Sequence, residues 1–348
     1  MGKERAVVAA TAAAGIDDLK RLADVLRSSD HAGELLAASR ELHDLLVRAT
    51  GLDAHAINGA DAADIMLPSG KAIAPKWAAA CLLDFARTAA FVRGTEAALS
   101  AALARFPERP IDMLYAGCGP FAPFALMLAT RFDPAQVRVT LLDVNLRSLE
   151  CARGLFEIFG LPDFVREYAC ADATTYVWPR ELPLHVMLTE TMQRALEKEP
   201  QAAISLNLAQ QLSDGGILVP ERIAVDLCLY DPAREFPVAN PDGTYEDTRL
   251  RLSLGTLLEL TAESARKLAR EGDYPVAALD VPADARHLPA MLRTTIVVFG
   301  DHVLGEYASG ITAPLHLRDL AGARRIRARY GGGPQPAFRC KPIGQTEA

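Results

Sequence analysis

From Ile111 to Leu229 the chain alternates short apolar runs with helical stretches, and this alternation constrains the fold more than any other feature. The runs are Ile111–Tyr115, Val137–Leu142, Val165–Ala169, Leu184–Leu188 and Ile217–Leu229. Strands separated by helices pair in parallel through right-handed βαβ crossovers, which cover a mostly parallel sheet with helices. An α/β fold with a Rossmann-like sheet follows.

The flanks read differently. Leu19, Leu22, Leu26, Leu35, Leu36, Leu42, Leu45 and Leu46 recur largely at three- and four-residue intervals, which predicts a helical opening from Asp17 to about Ala54. Asn58 to Lys71 is a breaker-rich connection, and one long helix is predicted from about Lys76 to Arg105. After Asp231 the alternation stops. Leu250 to Arg270 is mixed with a helical stretch, and Leu292–Phe299, Val303–Ala308 and Ala313–Leu317 between Gly and Pro predict a β-rich region. Arg324 to Tyr330 suits an edge strand, and Gly331 to Ala348 reads as loose. The division is an N-terminal helical segment at 1–70, a Rossmann-like domain at 71–231 and a C-terminal β-rich domain at 232–348.

Composition removes several function classes. With 348 residues, 50% hydrophobic and 23% charged, the chain has material for a folded core and is neither disordered nor fibrous. A net charge of −7 supplies no field for phosphate backbones, so nucleic acid is not an expected partner. The longest uncharged run, Met113 to Thr130, is broken by Gly117, Gly119, Pro120 and Pro123, and no membrane span is expected. Lys3 and Arg5 before Ala6–Ile16 have a secretory outline, but Glu4 and the weak, Ala-rich stretch argue against it. Cys81, Cys118, Cys151, Cys170, Cys228 and Cys340 lie far apart with no C-x-x-C, which fits reduced thiols in the cytoplasm rather than a metal site or a disulfide frame.

The chemistry concentrates at strand ends. Tyr115-Ala116-Gly117-Cys118-Gly119-Pro120-Phe121-Ala122 follows the first strand and opens a helix. Glycines there let a ligand approach the backbone, and free N–H groups at a helix start favour a polar or anionic group. The pattern also matches the dinucleotide form G-x-G-x-x-A, which keeps a nicotinamide or flavin oxidoreductase open as an alternative. Asp143 ends the second strand, where a carboxylate can accept both hydroxyls of a ribose. Asp172 follows the third strand and can take an adenine amino group, and Glu190 follows the fourth. Each acid could instead be a helix cap or a solvated first-turn residue.

At this point the chain resembles class I S-adenosylmethionine-dependent methyltransferases. Their first motif is similar to Tyr115–Ala122, their ribose acid to Asp143 and their adenine-side acid to Asp172, with Gly215-Gly216 in the turn before a fifth strand. The resemblance implies S-adenosylmethionine as cofactor, held by Arg87, Tyr115, Ala116, Gly117, Cys118, Gly119, Asp143, Val144, Asp172, Ala173 and Glu190. Asp84-Phe85-Ala86-Arg87-Thr88 looks like the Asp-x-x-Arg-Thr segment of protein arginine methyltransferases, in which the arginine grips the cofactor carboxylate. Glu190-Thr191-Met192 and Gly215-Gly216-Ile217-Leu218-Val219-Pro220 resemble that family's later segments.

Two departures stand out. The acid common two residues before the first glycine is Tyr115 here. That family also places two glutamates on a hairpin after the fourth strand, where together they hold a guanidinium. The strand here runs straight into Thr189-Glu190-Thr191-Met192, as though the hairpin were deleted, and Glu197 and Glu199 fit a solvated helix face. The family's histidine loop is not recognisable, and His287 and His302 qualify by position only.

Glu190 is therefore the candidate catalytic residue, orienting a nitrogen lone pair and relaying its proton. The expected reaction is N-methylation of a small guanidino or amino compound such as free arginine; peptide substrates are the alternative. O-methylation lacks an evident base, since His185 lies in the fourth strand and Lys198 beyond it. A non-catalytic cofactor-binding scaffold is the remaining reading. The N-terminal helices suit a cap over the site or a homodimer face.

Overall fold

The computed structural model describes residues 2–52, 62–107, 110–240 and 243–343, with residues 2–14 described in backbone only. The leucine period folds as two helices, α1 (Gly2–Ser28) and α2 (Ala32–Thr50). Leu19, Leu22, Leu26, Leu42 and Leu46 are fully buried. The breaker-rich connection contains an antiparallel hairpin, β1 (Ile65–Leu67) and β2 (Gly70–Ala72), while its residues 58–61 lie outside the described residues.

The single long helix expected from Lys76 is two. They are α3 (Pro75–Ala80) and α4 (Phe85–Arg105), separated by a 3-10 turn at Cys81–Leu83. The break is made by Asp84, whose Oδ1 accepts the Arg87 N–H at 3.2 Å and so starts a new helix. Its Oδ2 accepts from Ser309 Oγ (2.6 Å) and the Gly310 N–H (3.1 Å), tying this cap to a turn far along the chain.

The alternating region builds β3 (Ile111–Ala116), α5 (Pro123–Leu128), β4 (Val137–Asp143), α6 (Leu146–Ile158), β5 (Val165–Cys170), β6 (Val186–Thr189), α7 (Gln201–Ala209) and β7 (Ile217–Val219). The five strands form one parallel sheet in the order β5-β4-β3-β6-β7. Every residue of β3 is buried, as a central strand covered on both faces requires. This is the doubly wound, Rossmann-like α/β sheet that the alternation predicts.

The apolar run Ile217–Leu229 is two strands in two sheets. β7 stays parallel; after Pro220 and Glu221, β8 (Arg222–Tyr230) begins a second, antiparallel sheet. A small hairpin follows, β9 (Val238–Ala239) with β10 (Tyr245–Glu246). Then come β11 (Arg251–Leu260), α8 (Ala262–Glu271), β12 (Val276–Asp280), β13 (Ala290–Phe299), β14 (His302–Leu304) and β15 (Leu315–Leu317). The second sheet runs β11-β8-β13-β14, with β15 also on β13. The last strands, β16 (Arg325–Gly331) and β17 (Ala337–Ile343), complete a third sheet in the order β12-β16-β17.

Two expectations are corrected here. Arg325–Gly331 is a central strand, and Ala337–Ile343 is an ordered partner paired with it along its length. The Gly-rich stretch that looked like a tail is the turn of this hairpin. Buried Tyr330 anchors it, its ring 5.0 Å from Phe338 and 4.8 Å from Tyr274. Among the described residues no helix is long and apolar enough to cross a membrane. All six cysteines are free thiols.

Helix α4 packs closely on the second sheet at Gly94. On an open helix face Gly→Ala gains about 1 kcal/mol, but a Cβ here would lie 2.5 Å from Val298 Cγ1 and 2.8 Å from Val298 Cβ. Val298 is buried and stiff at its first torsion, so overpacking outweighs propensity. Gly94→Ala is expected to lower unfolding free energy by about 1–3 kcal/mol. Chemical denaturation measures it, and an unchanged or raised midpoint contradicts the packing.

Candidate active site

Register aligns the strand ends. Ala116 pairs with Leu142 of β4 and Thr189 of β6, and Asp143 with Cys170 of β5, so the loops after β3, β4, β5 and β6 leave the sheet side by side. Strand order reverses between β3 and β6, and the diverging connections leave a crevice at the carboxyl edge. A cleft opens there, lined by these loops together with the β1–β2 hairpin, α3 and the start of α4.

The glycine loop holds its shape by left-handed backbone at Gly117 (φ 71°) and Gly119 (φ 65°). A Cβ on Gly117 would sit 2.2 Å from Thr191 Cγ2, so the loops after β3 and β6 touch only because this residue has no side chain. The loop's amides face inward. Gly117 and Cys118 N–H groups donate to Leu142 O at 2.8 and 3.2 Å, and the Gly119 N–H donates to Asp143 Oδ2 at 2.9 Å. Helix α5 begins with Pro123, which has no N–H to offer. The glycines supply room and curvature, and their own N–H groups are engaged within the protein.

Asp143 lines the cleft, and its Oδ1 also accepts the Asn145 N–H at 2.8 Å. Enclosure pushes its carboxyl above the usual range against the backbone donors from Asn145, Gly119 and Val144. Asp172 lines the cleft too, with Oδ1 accepting from Thr174 N–H (2.8 Å) and Oγ (2.7 Å). Gly117, Cys118, Gly119, Val144, Ala173 and Tyr115 share the lining. Tyr115 is buried, its ring stacked 5.7 Å from Phe124, and burial holds its phenol well above the ordinary value. Ala116 does not line the cleft; it is enclosed in an apolar cluster with Leu114, Leu142 and Met187.

Arg87 and Glu190 meet in the cleft, with Nη1 3.3 Å from Oε2 and 3.5 Å from Oε1. Both side chains are less than a tenth exposed, and Arg87 also donates to the Cys81 carbonyl. Burial works against the Arg87 charge, but Glu190, Cys81 and Asp84 keep its pKa above the ordinary value. Burial raises Glu190 from 4.5 to about 7; Arg87 opposes this, while Glu199 and Asp84 add to it.

The structure corrects the reading of the segment that follows. The strand does not run straight into a helix, and Glu199 is not on a solvated helix face. Residues 190–200 form a loop that leaves β6, makes a 3-10 turn at Arg194–Leu196 and returns to α7. Glu199 is buried and lines the same cleft as Glu190, with its Oε1 accepting from Gln193 Nε2 at 2.9 Å. Burial raises its carboxyl, opposed by Gln193, Lys71 and Arg87. Only Glu197 pairs outward, 3.6 Å from Lys198 Nζ.

This loop carries left-handed backbone at Ala195 (φ 53°), Leu196 (φ 57°) and Lys198 (φ 69°), and neighbours hold it there. Ala195 N–H donates to Thr294 Oγ of β13 (2.9 Å), Tyr330 OH of β16 to Leu196 O (2.8 Å), and Lys198 N–H to Pro336 O (2.8 Å). At its base, Gln201 Oε1 accepts from Thr191 N–H (2.9 Å) and Oγ (3.1 Å). Glu199, Gln193 and Gln201 were missed because Leu196 and the charges around it mimic an amphipathic helix; the positive-φ backbone has no glycine to announce it.

The histidines play other parts. His185 is buried just before β6, its Nδ1 accepting the Asp112 N–H at 2.9 Å, and neither His287 nor His302 lines the cleft. No grouping of His, Cys, Asp and Glu suited to a metal ion occurs among the described residues.

No family model matches the chain, and no curated protein matches it. Among solved structures it is similar to one titled as a Trypanosoma brucei PRMT1 enzyme-prozyme heterotetrameric complex with AdoHcy, at 13% identity and TM-score 0.48 over 76% of this chain and 92% of that one. It is also similar to a crystal structure of PRMT6, at 10% identity and TM-score 0.46 over 71% of this chain and 95% of that one.

The raised Glu190 carboxyl makes a stability statement. Its folded pKa, about 7, exceeds the ordinary 4.5, so its contribution is complete below 4.5 and is lost as pH rises through 7. Glu190→Gln is expected to lose less unfolding free energy than the parent between acidic and mildly basic buffer. Urea denaturation on either side of this window checks it; equal losses contradict the burial of an ionisable Glu190.

Proposed function

We propose that this chain is an S-adenosylmethionine-dependent N-methyltransferase whose acceptor carries a guanidinium. The observation that supports it most is what faces the cleft: carboxylates at successive strand ends. A dinucleotide pyrophosphate needs backbone N–H donors at the glycine loop. Here those of Gly117, Cys118 and Gly119 are engaged within the protein. An adenosyl sulfonium has no phosphate and needs room plus acceptors. The side-chain-free Gly117, the cleft and the acids at successive strand ends fit that group.

In this reading Asp143 takes the ribose hydroxyls, Asp172 the adenine side and Arg87 the amino-acid carboxylate, for which a guanidinium fork is suited. The cofactor, when bound, supplies a methyl group already activated on sulfur. The protein's remaining tasks are to align the acceptor and to manage charge and a proton. Glu190 and Glu199 hold the guanidinium and localise its positive charge away from the attacking nitrogen, leaving that nitrogen a usable lone pair. Glu190, with its pKa near 7, accepts the proton released on methyl transfer. With both glutamates in place, the acidic loop gives no ground for preferring a small acceptor over an arginine side chain in a peptide.

Two measurements test this. Asp143→Ala is expected to weaken S-adenosylmethionine binding by about 2 kcal/mol, roughly thirtyfold, for two lost charge-assisted hydrogen bonds. Undiminished calorimetric affinity removes the ribose role. Glu190→Gln is expected to bind cofactor nearly as the parent does and to transfer little labelled methyl to free arginine, small guanidino compounds or arginine peptides. Parental rates in that variant refute the catalytic role; calorimetric indifference of the parent to the cofactor refutes the whole reading.

A further inference from the structure

Gln193 stands out because, among the described residues, it is the carboxamide that donates to a loop glutamate. Its Nε2 lies 2.9 Å from Glu199 Oε1, and its backbone opens the 3-10 turn that precedes the left-handed residues. The loop cannot swing to another arrangement cheaply. Thr294, Tyr330 and Pro336 hold the backbone at residues 195, 196 and 198, the Lys71 N–H donates to Lys198 O at 2.9 Å, and a Cβ on Gly70 would lie only 3.0 Å from the backbone of residues 198–200. Gln193 is therefore a fixed donor aimed at one of two buried carboxylates that share a cleft.

The groups facing this pair come from several elements. Glu199 meets Gln193 on its own loop, Lys71 of β2, Asp64 before β1 and Arg87 of α4. Lys71 is itself held by Asp64, Nζ to Oδ2 at 2.8 Å, which blunts its pull on Glu199. Glu190 contacts Arg87 and lies within the electrostatic influence of Glu199 and Asp84. Each carboxylate has a donor that favours its charged form: the Arg87 guanidinium for Glu190 and the Gln193 carboxamide for Glu199.

We propose that Gln193 is a positioning residue for Glu199. Its carboxamide favours the ionised form of Glu199 and fixes where that carboxylate is presented to the cleft, while the Arg87 guanidinium acts on Glu190. The proposal rests on the methyltransferase reading for its role in turnover, but the effect on the Glu199 titration can be read without any substrate.

The test uses two variants of the full chain. Gln193→Met keeps the length and removes the donor; Gln193→Lys keeps a donor and adds positive charge. Carboxyl carbon NMR of glutamate-labelled protein, with Glu190→Gln and Glu199→Gln for assignment, follows both titrations. The expected result is an upward move of the Glu199 titration by about one pH unit in Gln193→Met and a downward move in Gln193→Lys. In turnover, the acidic limb of kcat/KM for a guanidino acceptor moves in the same two directions, KM for the acceptor rises in Gln193→Met, and cofactor affinity holds.

A merely structural Gln193 would shift both variants alike or lower only their stability. Glu199 titrations that stay put in both variants, or move in one direction in both, overturn the proposal. Absence of methyl transfer in the parent refutes the functional reading instead, and the NMR titration still decides the role of Gln193.

Discussion

The candidate site depends on one constraint, a strained loop at residues 190–200 held from outside the sheet that launches it. Non-glycine residues in left-handed backbone cost roughly 1 kcal/mol or more each, and three occur within four residues here. They persist because β13, β16 and the turn before β17 each supply a hydrogen bond to this short segment. The parallel sheet thus places Glu190, while the antiparallel sheets bring Glu199 back to face the same cleft. The β-rich part of the chain is structurally a clamp on the acidic loop.

The Arg87–Glu190 contact makes little sense as a stabilising bond alone. Removing two charges from water costs several kcal/mol each, and good geometry is needed to recover it. Contacts of 3.3 and 3.5 Å recover less than a bidentate pair near 2.8 Å would. A group lifted to about 7 beside a guanidinium is a poor anchor and a good responder: a second cation arriving at Glu190 would lower its pKa and make it a firmer anion. Asp84 links this responsive pair to the turn at Ser309–Gly310, so the start of α4 is fixed at both ends of its cap.

Much of this was legible in the residues. The period of the apolar runs gave five parallel strands, and Gly117, Asp143, Asp172 and Glu190 line one cleft as their strand-end positions implied, joined by Arg87 of α4, to which the resemblance pointed. Local pattern failed where tertiary contacts decide the backbone. Leu196 among charges has a helical look, but Tyr330 and Thr294 hold the segment as a loop, and neither partner is near it in sequence. The Gly331–Gly333 stretch looked like a tail because nothing local reports the register of Arg325–Gly331 with Ala337–Ile343. Lys76–Arg105 has continuous helical composition, and the break depends on a single Asp84 cap with distant partners.

The charge of the cleft bears on which ligands suit it. Its lining carries four acids, Asp143, Asp172, Glu190 and Glu199, against two cations, Arg87 and Lys71. Lys71 is neutralised by Asp64 and Arg87 sits on Glu190, so the remaining field is negative. A concave, partly enclosed surface of one sign focuses its potential and raises the local concentration of oppositely charged ligands. An anionic pyrophosphate would enter against that field, whereas a sulfonium and a guanidinium are each drawn along it. Burial is the main reason both glutamates have raised pKa values, and at Glu190 the neighbouring acids Glu199 and Asp84 add to it, so an arriving cation would make either carboxyl easier to ionise.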